Sequence, residues 1–278
     1  MKVLMLSSEC FPFAKTGGIA DVVGSLPIAL TRLGVDVRVA MPHYSVIDSQ
    51  RFHFSPLLGP FDVPLDGRHD QASVQQTTLD GQTPIYLIQN PRLYERDGIY
   101  MYHDDAERFI FFCRAALEMC RQLNWRPDVA HCHDWQTAIV PNWLKTTFSD
   151  DPFFKQTASV YTIHNLAYQG IFGHRVLEIA GLAALGFIAH PDVAPDINEA
   201  VDFMARGILF GDAITTVSER YAREILTPEF GEKLDPILRA RKDRLFGVLN
   251  GIDDQRLNPQ TDPHIARHYS ASDLSARQ

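Results

Sequence analysis

Apolar and polar positions change rhythm repeatedly along the chain, from short apolar runs to stripes spaced three and four residues apart. Lys2 to Ser7 (KVLMLS) reads as a strand. After the polar loop Glu9–Gly18, the residues Ile19, Val22, Val23, Leu26, Ala29, Leu30 and Leu33 trace a helix over 19–33. Pro27 kinks that helix without ending it, and Gly34 supplies its stop. Val35 to Met41 is a second strand. The stretch from Pro42 to Leu65, rich in Pro, His and Phe, predicts no regular element. Ala72–Leu79 and Pro84–Gln89 read as two strands joined around Asp80-Gly81. A long helix over 104–123 follows, with Phe109, Ile110, Cys113, Ala116, Leu117, Cys120 and Leu123 on one stripe. Further strands fall at 128–133, 159–164, 213–217 and 245–249. Helices fall at 135–147 (bent at Pro141), at 198–210, and at 218–226 with Ser218 as its cap. The tail from Pro259 to Gln278 carries no hydrophobic unit. This alternation predicts an α/β fold, a Rossmann-like open, mostly parallel twisted sheet with helices on both faces.

Composition narrows the picture. At 278 residues the chain is near the upper limit for one hydrophobic core, and 45% apolar with 22% charged residues is the balance of an ordinary globular protein. A net charge of −8 argues against a nucleic-acid surface, though a nucleotide-sized anion needs only local cations. No run of 18 apolar residues predicts a membrane span, and the amino terminus lacks the h-region of a signal peptide, so cytoplasm is the expected location. Cys10, Cys113, Cys120 and Cys132 form no C-x-x-C pair and read as buried free thiols.

Candidate chemistry gathers at strand ends, where ligands of open parallel sheets bind. The segment Lys15-Thr16-Gly17-Gly18 opens onto a helix, whose start presents unpaired N–H groups and partial positive charge. Two glycines there let an anion approach closely. The end charge is worth only about 0.3–1 kcal/mol when exposed, so a diphosphate needs a full cation too, and Lys15 is placed to be it. The plain alternative is a tight turn with a solvated lysine. The spacing matches neither the P-loop nor G-x-G-x-x-G. Asp21, in the first helical turn, either hydrogen-bonds a ligand or complements the helix end. His131-Cys132-His133-Asp134-Trp135, His164-Asn165 and Asn250-Gly251 fall at the ends of other strands. A carboxylate beside an indole suits a sugar, while a helix cap with a packed indole is the structural alternative for Asp134 and Trp135. His131 and His133 share a strand face and, with Asp134, raise the rival of a metal site, but no second partner motif accompanies them. His131 reads better as a satisfied core histidine. No G-x-S-x-G elbow supports a serine hydrolase.

The segments Lys15-Thr16-Gly17-Gly18-Ile19-Ala20-Asp21-Val22, His133-Asp134-Trp135, Thr162-Ile163-His164-Asn165-Leu166-Ala167-Tyr168-Gln169-Gly170 and Asn250-Gly251-Ile252-Asp253 resemble bacterial glycogen synthase and plant starch synthase. The resemblance runs from residue 1 to about 258. It implies the amino-terminal half of a GT-B fold, with a catalytic domain over 1–249 and a hinge with the start of a second domain over 250–278. It also implies a retaining transferase that moves glucose from ADP-glucose to the non-reducing 4-hydroxyl of an α-1,4-glucan or maltooligosaccharide, with no metal or cofactor in the chemistry. By resemblance, Lys15, Asp134 and His164 are the catalytic residues. Thr16, Gly17, Gly18, Asp21, Tyr94, Trp135, Asn165, Tyr168 and Asn250 line the substrate sites. The family's second domain carries an Arg/Lys pair and an acidic Glu-x-x-Gly-like loop, and nothing between Asp254 and Gln278 resembles either. The expectation is therefore a chain inactive alone, active with a carboxyl-terminal synthase half as partner, and exposing an apolar docking face that promotes self-association. Two alternatives stand beside it, a non-catalytic glucan-binding module and a metal-dependent hydrolase built on His131, His133 and Asp134.

Overall fold

The computed structural model describes residues 1–65, 68–182, 200–254 and 256–275. A nine-stranded sheet organises them, in the order β11-β10-β7-β6-β1-β2-β5-β4-β3. The strands are β1 (Lys2–Leu6), β2 (Asp36–Pro42), β3 (Ser55–Leu65), β4 (Arg68–Leu79), β5 (Thr83–Gln89), β6 (Val129–His133), β7 (Ala158–Ile163), β10 (Ala213–Thr216) and β11 (Leu245–Gly247). From β11 through β5 every pairing is parallel; β4 pairs antiparallel with both β5 and β3. A small antiparallel pair, β8 (Ile171–Gly173) with β9 (Ala200–Asp202), stands apart.

The strand order turns at β1, which has β2 on one side and β6 on the other. The chain moves outward from β1 to β2 and β5, then returns across the sheet to β6 and continues to β7, β10 and β11. Right-handed crossovers put the helices of the two directions on opposite faces. One face takes α1 (Gly18–Arg32). The other takes α3 (Asp105–Gln122), α4 (Ile139–Lys145), α6 (Phe203–Phe210) and α7 (Glu219–Glu224). The short helices α2 (Pro91–Tyr94), α5 (Arg175–Ile179) and α8 (Asp235–Ala240) fill connections. Pro27 lies within α1, as its sequence predicts.

The central strands are buried on both faces, as parallel strands are. Leu4, Met5, Leu6, Val39, Ala40, Met41, Ile85, Leu87 and Ile88 are all inaccessible to solvent. Against them α3 sets Phe109, Ile110, Cys113, Ala116, Leu117 and Cys120, the apolar stripe read from the sequence. The four cysteines are free and buried.

Several expectations need correction. Residues 55–65 form strand β3, although three prolines break the usual strand signature. They are tolerated because β3 is an edge strand, where a missing N–H need not leave a ladder bond unmade. Its pairing with β4 also shifts register twice, and only Phe61 and Val63 bury their side chains. The segment expected as one helix over 135–147 is a 3-10 turn at Trp135–Thr137 followed by α4. The helix expected over 198–210 begins at Phe203, behind β9 and an Asp202 cap whose carboxylate accepts from the Ala205 N–H; residues 198 and 199 lie outside the described residues. Beyond β11, the apolar residues Val248, Leu249, Ile252 and Leu257 are exposed.

Close approach of α6 to β7 depends on Gly207. A Cβ there would lie 2.4 Å from the Tyr161 ring, and Tyr161 is fully buried. Gly207→Ala is expected to destabilise the fold by about 1–3 kcal/mol through overpacking, read as a lowered melting temperature in thermal denaturation. An unchanged melting temperature would mean that this contact is not tight.

Candidate functional site

The turn in strand order opens a crevice at the carboxyl ends of β1 and β6, and three loops reach it. The first, Ser7–Gly17, leaves β1 and runs into α1. A buried carboxylate shapes it. Glu9 is 2% exposed and accepts hydrogen bonds from the Thr16 hydroxyl (2.6 Å), the Gly17 N–H (3.0 Å), the Thr16 N–H and the Tyr100 hydroxyl (2.6 Å). A buried charge is tolerated only when hydrogen-bonded in this way. Helix α1 has no side-chain cap, because glycine occupies its N-cap. Glu9 takes the N–H groups of Thr16 and Gly17 from the preceding turn. The first-turn N–H groups of Gly18, Ile19 and Ala20 are those a helix leaves for a ligand.

Neither packing nor backbone conformation calls for glycine at 17 or 18. A Cβ at either position would meet nothing within 4 Å, and neither φ is positive. Gly24 differs: a Cβ there would lie 2.6 Å from the Phe11 carbonyl, so it lets α1 close on the loop. The open space around Gly17 and Gly18 is what close approach of an anion requires.

Lys15 extends into solvent and pairs with Asp21 at 2.6 Å; Asp21 also accepts from the Arg256 guanidinium at 2.8 Å. Arg256 stacks 3.8 Å over the Phe11 ring. For Asp21, burial works to raise the carboxyl pKa, but the bonds from Lys15 and Arg256 prevail and hold it below its ordinary value. With side chains about 40% exposed, such pairs are worth about 0–1 kcal/mol, so a phosphate can recruit Lys15 at little cost.

The second and third loops follow β6 and β7 and meet at Asp134. This residue adopts φ 53°, ψ −172°, a conformation ordinarily confined to glycine and costing about 1–3 kcal/mol. It is tied to β7 and the loop after it: its N–H donates to the Thr162 carbonyl (3.0 Å), and its carboxylate accepts from the His164 N–H (2.8 Å). Burial raises its pKa to about 7; the backbone N–H groups of His164 and Asn165 oppose the rise, and the Glu9 charge adds to it. That same Glu9 charge partly offsets the burial that lowers His164 to about 4. Glu9 thus anchors the first loop and acts through its charge on Asp134 and His164, which puts the three loops within electrostatic reach of one another at the carboxyl ends of β1, β6 and β7.

Behind His164 lies a run of imidazoles. Nδ1 of His133 is 2.9 Å from Nε2 of His164, and the His131 and His133 rings are 4.3 Å apart. Nε2 of His131 bonds the Thr162 hydroxyl at 2.7 Å, which continues to the Thr215 hydroxyl at 2.6 Å. His131 and His133 do share a strand face, but Nε2 of His131 is engaged with the Thr162 hydroxyl and Nδ1 of His133 with His164. Among the described residues no group of three or more His, Cys, Asp or Glu is arranged to hold a metal ion.

Other expected site residues sit differently. Tyr94 is fully buried and donates its hydroxyl to the Arg108 carbonyl (2.9 Å), so it belongs to the core rather than the crevice wall. Trp135 packs edge-on against Phe109 and beside Phe172, and a Cβ at Gly170 would be 2.5 Å from its ring. The indole props up the 165–170 loop and does not stand open as a sugar platform. Asn165 is exposed and uses its side-chain oxygen to accept from the Ala167 N–H (3.0 Å), closing a local turn. Tyr168 is 69% exposed on that loop. Asn250 is exposed; downstream of it, Arg256 reaches Asp21 in α1 and Phe11 in the first loop. Sequence reasoning missed Glu9, Tyr100 and Arg256. For Glu9 a signal existed: a glycine N-cap supplies no acceptor, so the turn before it must find one elsewhere.

Glu9→Gln replaces an acceptor-only group by one with two donors facing four donors. It is expected to cost about 1.5–3 kcal/mol in denaturant unfolding and to speed amide exchange at Thr16 and Gly17. Asp134, with its folded pKa raised, contributes stability that is fully present below its unfolded pKa and is lost as pH rises through about 7. The stability of Asp134→Asn relative to the parent should therefore climb between about pH 4 and pH 7. A constant difference across that window would contradict the shift.

Comparison with known proteins places this geometry. Residues 2–240 match the family model of the starch synthase catalytic domain. The chain is 45% identical over 282 residues to a glycogen synthase of Desulforudis audaxviator, covering 97% of this chain and 55% of that protein. It is 44% identical to a glycogen synthase of Moorella thermoacetica, covering 100% of this chain and 56% of that one. The catalytic domain of starch synthase IV from Arabidopsis thaliana, solved bound to ADP and acarbose, superposes with a TM-score of 0.90 at 32% identity over 99% of this chain and 56% of that chain. The chain spans about half the length of the relatives it matches. With the family model covering most of its length and a three-loop crevice at the turn of its sheet, the chain belongs to the starch synthase catalytic-domain family of glycosyltransferases.

Proposed function

We propose that this chain forms the acceptor-side wall, and part of the donor pocket, of a transferase moving glucose from ADP-glucose to the non-reducing 4-hydroxyl of an α-1,4-glucan with retention. The observation that carries the reading is the pair of glycines at the start of α1, which the fold itself does not need, beside the cation of Lys15. The Arabidopsis relative's bound ADP and acarbose support a nucleotide and a glucan-like sugar as the ligand classes.

In this reading the diphosphate lies against the first turn of α1, where N–H groups and Lys15 meet the charge that grows as the glucosyl bond breaks. Lys15 leaves its exposed pair with Asp21 to do so. Asp134 and His164 hold the glucosyl group. The carboxylate of Asp134 already accepts from the backbone N–H of His164, which suits hydrogen bonding to sugar hydroxyls better than attack on carbon. A departing phosphate oxygen takes the proton of the incoming hydroxyl on the same face, so no carboxylate nucleophile of the retaining-glycosidase kind is required. The route needs no resident metal or cofactor. A second domain of comparable size supplies the remaining donor contacts.

The test is transfer of labelled glucose from ADP-glucose to maltooligosaccharides by the chain combined with a carboxyl-terminal synthase half. Without that half, little or no transfer is expected. Gly18→Ala should hold or raise stability, since alanine favours a helix by up to about 1 kcal/mol over glycine, yet lower transfer at least tenfold. Lys15→Ala should cost about 10²–10³ in rate. Full activity in both variants would overturn the reading, and glucan binding without any transfer would favour a non-catalytic module. A trapped glucosyl adduct on Asp134 would refute the same-face route.

A further inference from the structure

His133 is fully buried one position before Asp134, and the chemistry above does not call on it. Its Nδ1 lies 2.9 Å from Nε2 of His164, and among the described residues its own Nε2 has no hydrogen-bond partner. We propose that His133 is a positioning residue: it donates its Nδ1–H to Nε2 of His164 and thereby fixes the His164 proton on Nδ1, leaving that nitrogen as a hydrogen-bond donor to a ligand oxygen.

Between two neutral imidazoles one must donate and the other accept. If His164 donated, His133 would carry its proton on Nε2, a buried N–H with no acceptor. If His133 donates, what remains on Nε2 is an unused lone pair. Orphaned buried donors are the rarer of the two in folded proteins, so the second arrangement wins. A cationic ring would alter the choice, but burial holds both His133 and His164 below the ordinary histidine pKa, and His131 beyond them is lowered to about 4 for the same reason. The other neighbours do not compete for the shared bond. Nε2 of His131 is bonded to the Thr162 hydroxyl, and Asp134 engages the backbone of His164 rather than its ring. Glu9 acts on His164 through its charge, and its carboxylate is filled by Thr16, Gly17 and Tyr100.

The tautomer decides what His164 can recognise. A ring held with Nδ1–H offers a ligand a donor and no acceptor, so it takes a lone pair from a hydroxyl oxygen. That the hydroxyl belongs to a sugar rests on the function proposed above; the tautomer does not.

Long-range proton–nitrogen NMR of the imidazoles in the 278-residue chain, free of substrate, reads the tautomer directly. The expected pattern is protonated Nδ1 and unprotonated Nε2 for both His133 and His164. In His133→Asn the side-chain amide replaces the Nδ1–H donor, and the His164 pattern should persist. In His133→Asp the group facing Nε2 of His164 is an acceptor, and Nε2 of His164 should become protonated. Nε2-protonated His164 in the unsubstituted chain overturns the proposal, and so does an unchanged pattern in His133→Asp. No turnover is involved, so a failure of glucose transfer leaves this result standing on its own.

Discussion

The reversal of strand order at β1 is the constraint from which the rest follows. Because β2 and β6 flank β1 while their crossover helices lie on opposite faces, the loops after β1 and β6 diverge and leave a crevice. Into that crevice the chain directs a helix start from one side and a histidine-rich strand end from the other. The buried carboxylate of Glu9 links the two. It is hydrogen-bonded to the first loop, and its charge is felt by Asp134 and His164 in the others.

The stored strain fits this arrangement. Asp134 holds a backbone conformation unfavourable for any residue with a side chain, and two hydrogen bonds to β7 and the loop after it keep it there. Its raised pKa is a second cost in the same place. Costs of this size cluster where a side chain must point in one direction, and here they orient a carboxyl group beside His164. The first loop is built the opposite way. Its cation is held by one exposed pair with Asp21, and its glycines are surrounded by open space, so it is left free to close on a ligand.

Much of the fold was legible in the sequence because parallel strands and amphipathic helices leave strong periodic signals. The stripe of α3 and the apolar run of β1 needed no tertiary context. Strand β3 was illegible because its prolines are allowed only by its place at the sheet edge, which the sequence does not state. The break at Ala138 between the 3-10 turn and α4 sits one turn ahead of Pro141, which has no N–H to give the Thr137 carbonyl and is tolerated in the first turn of a helix. At the site, Lys15, Gly17, Gly18, Asp134 and His164 stood out as residue types at strand ends. Tyr94 and Trp135 were misplaced because an aromatic near a loop has the same letter whether it faces solvent or core. Glu9 escaped notice because its importance lies in four donors brought from residues 16, 17 and 100.

The proposed function requires that these loops share one sugar-nucleotide site. A crystal structure of the chain joined to a carboxyl-terminal synthase half, grown with ADP-glucose, tests it most directly. The diphosphate is expected within hydrogen-bond reach of the first turn of α1 and of Lys15, now swung off Asp21, with the glucosyl group against Asp134 and His164. Nucleotide sugar bound elsewhere, away from Gly18, Lys15 and His164, would refute the reading.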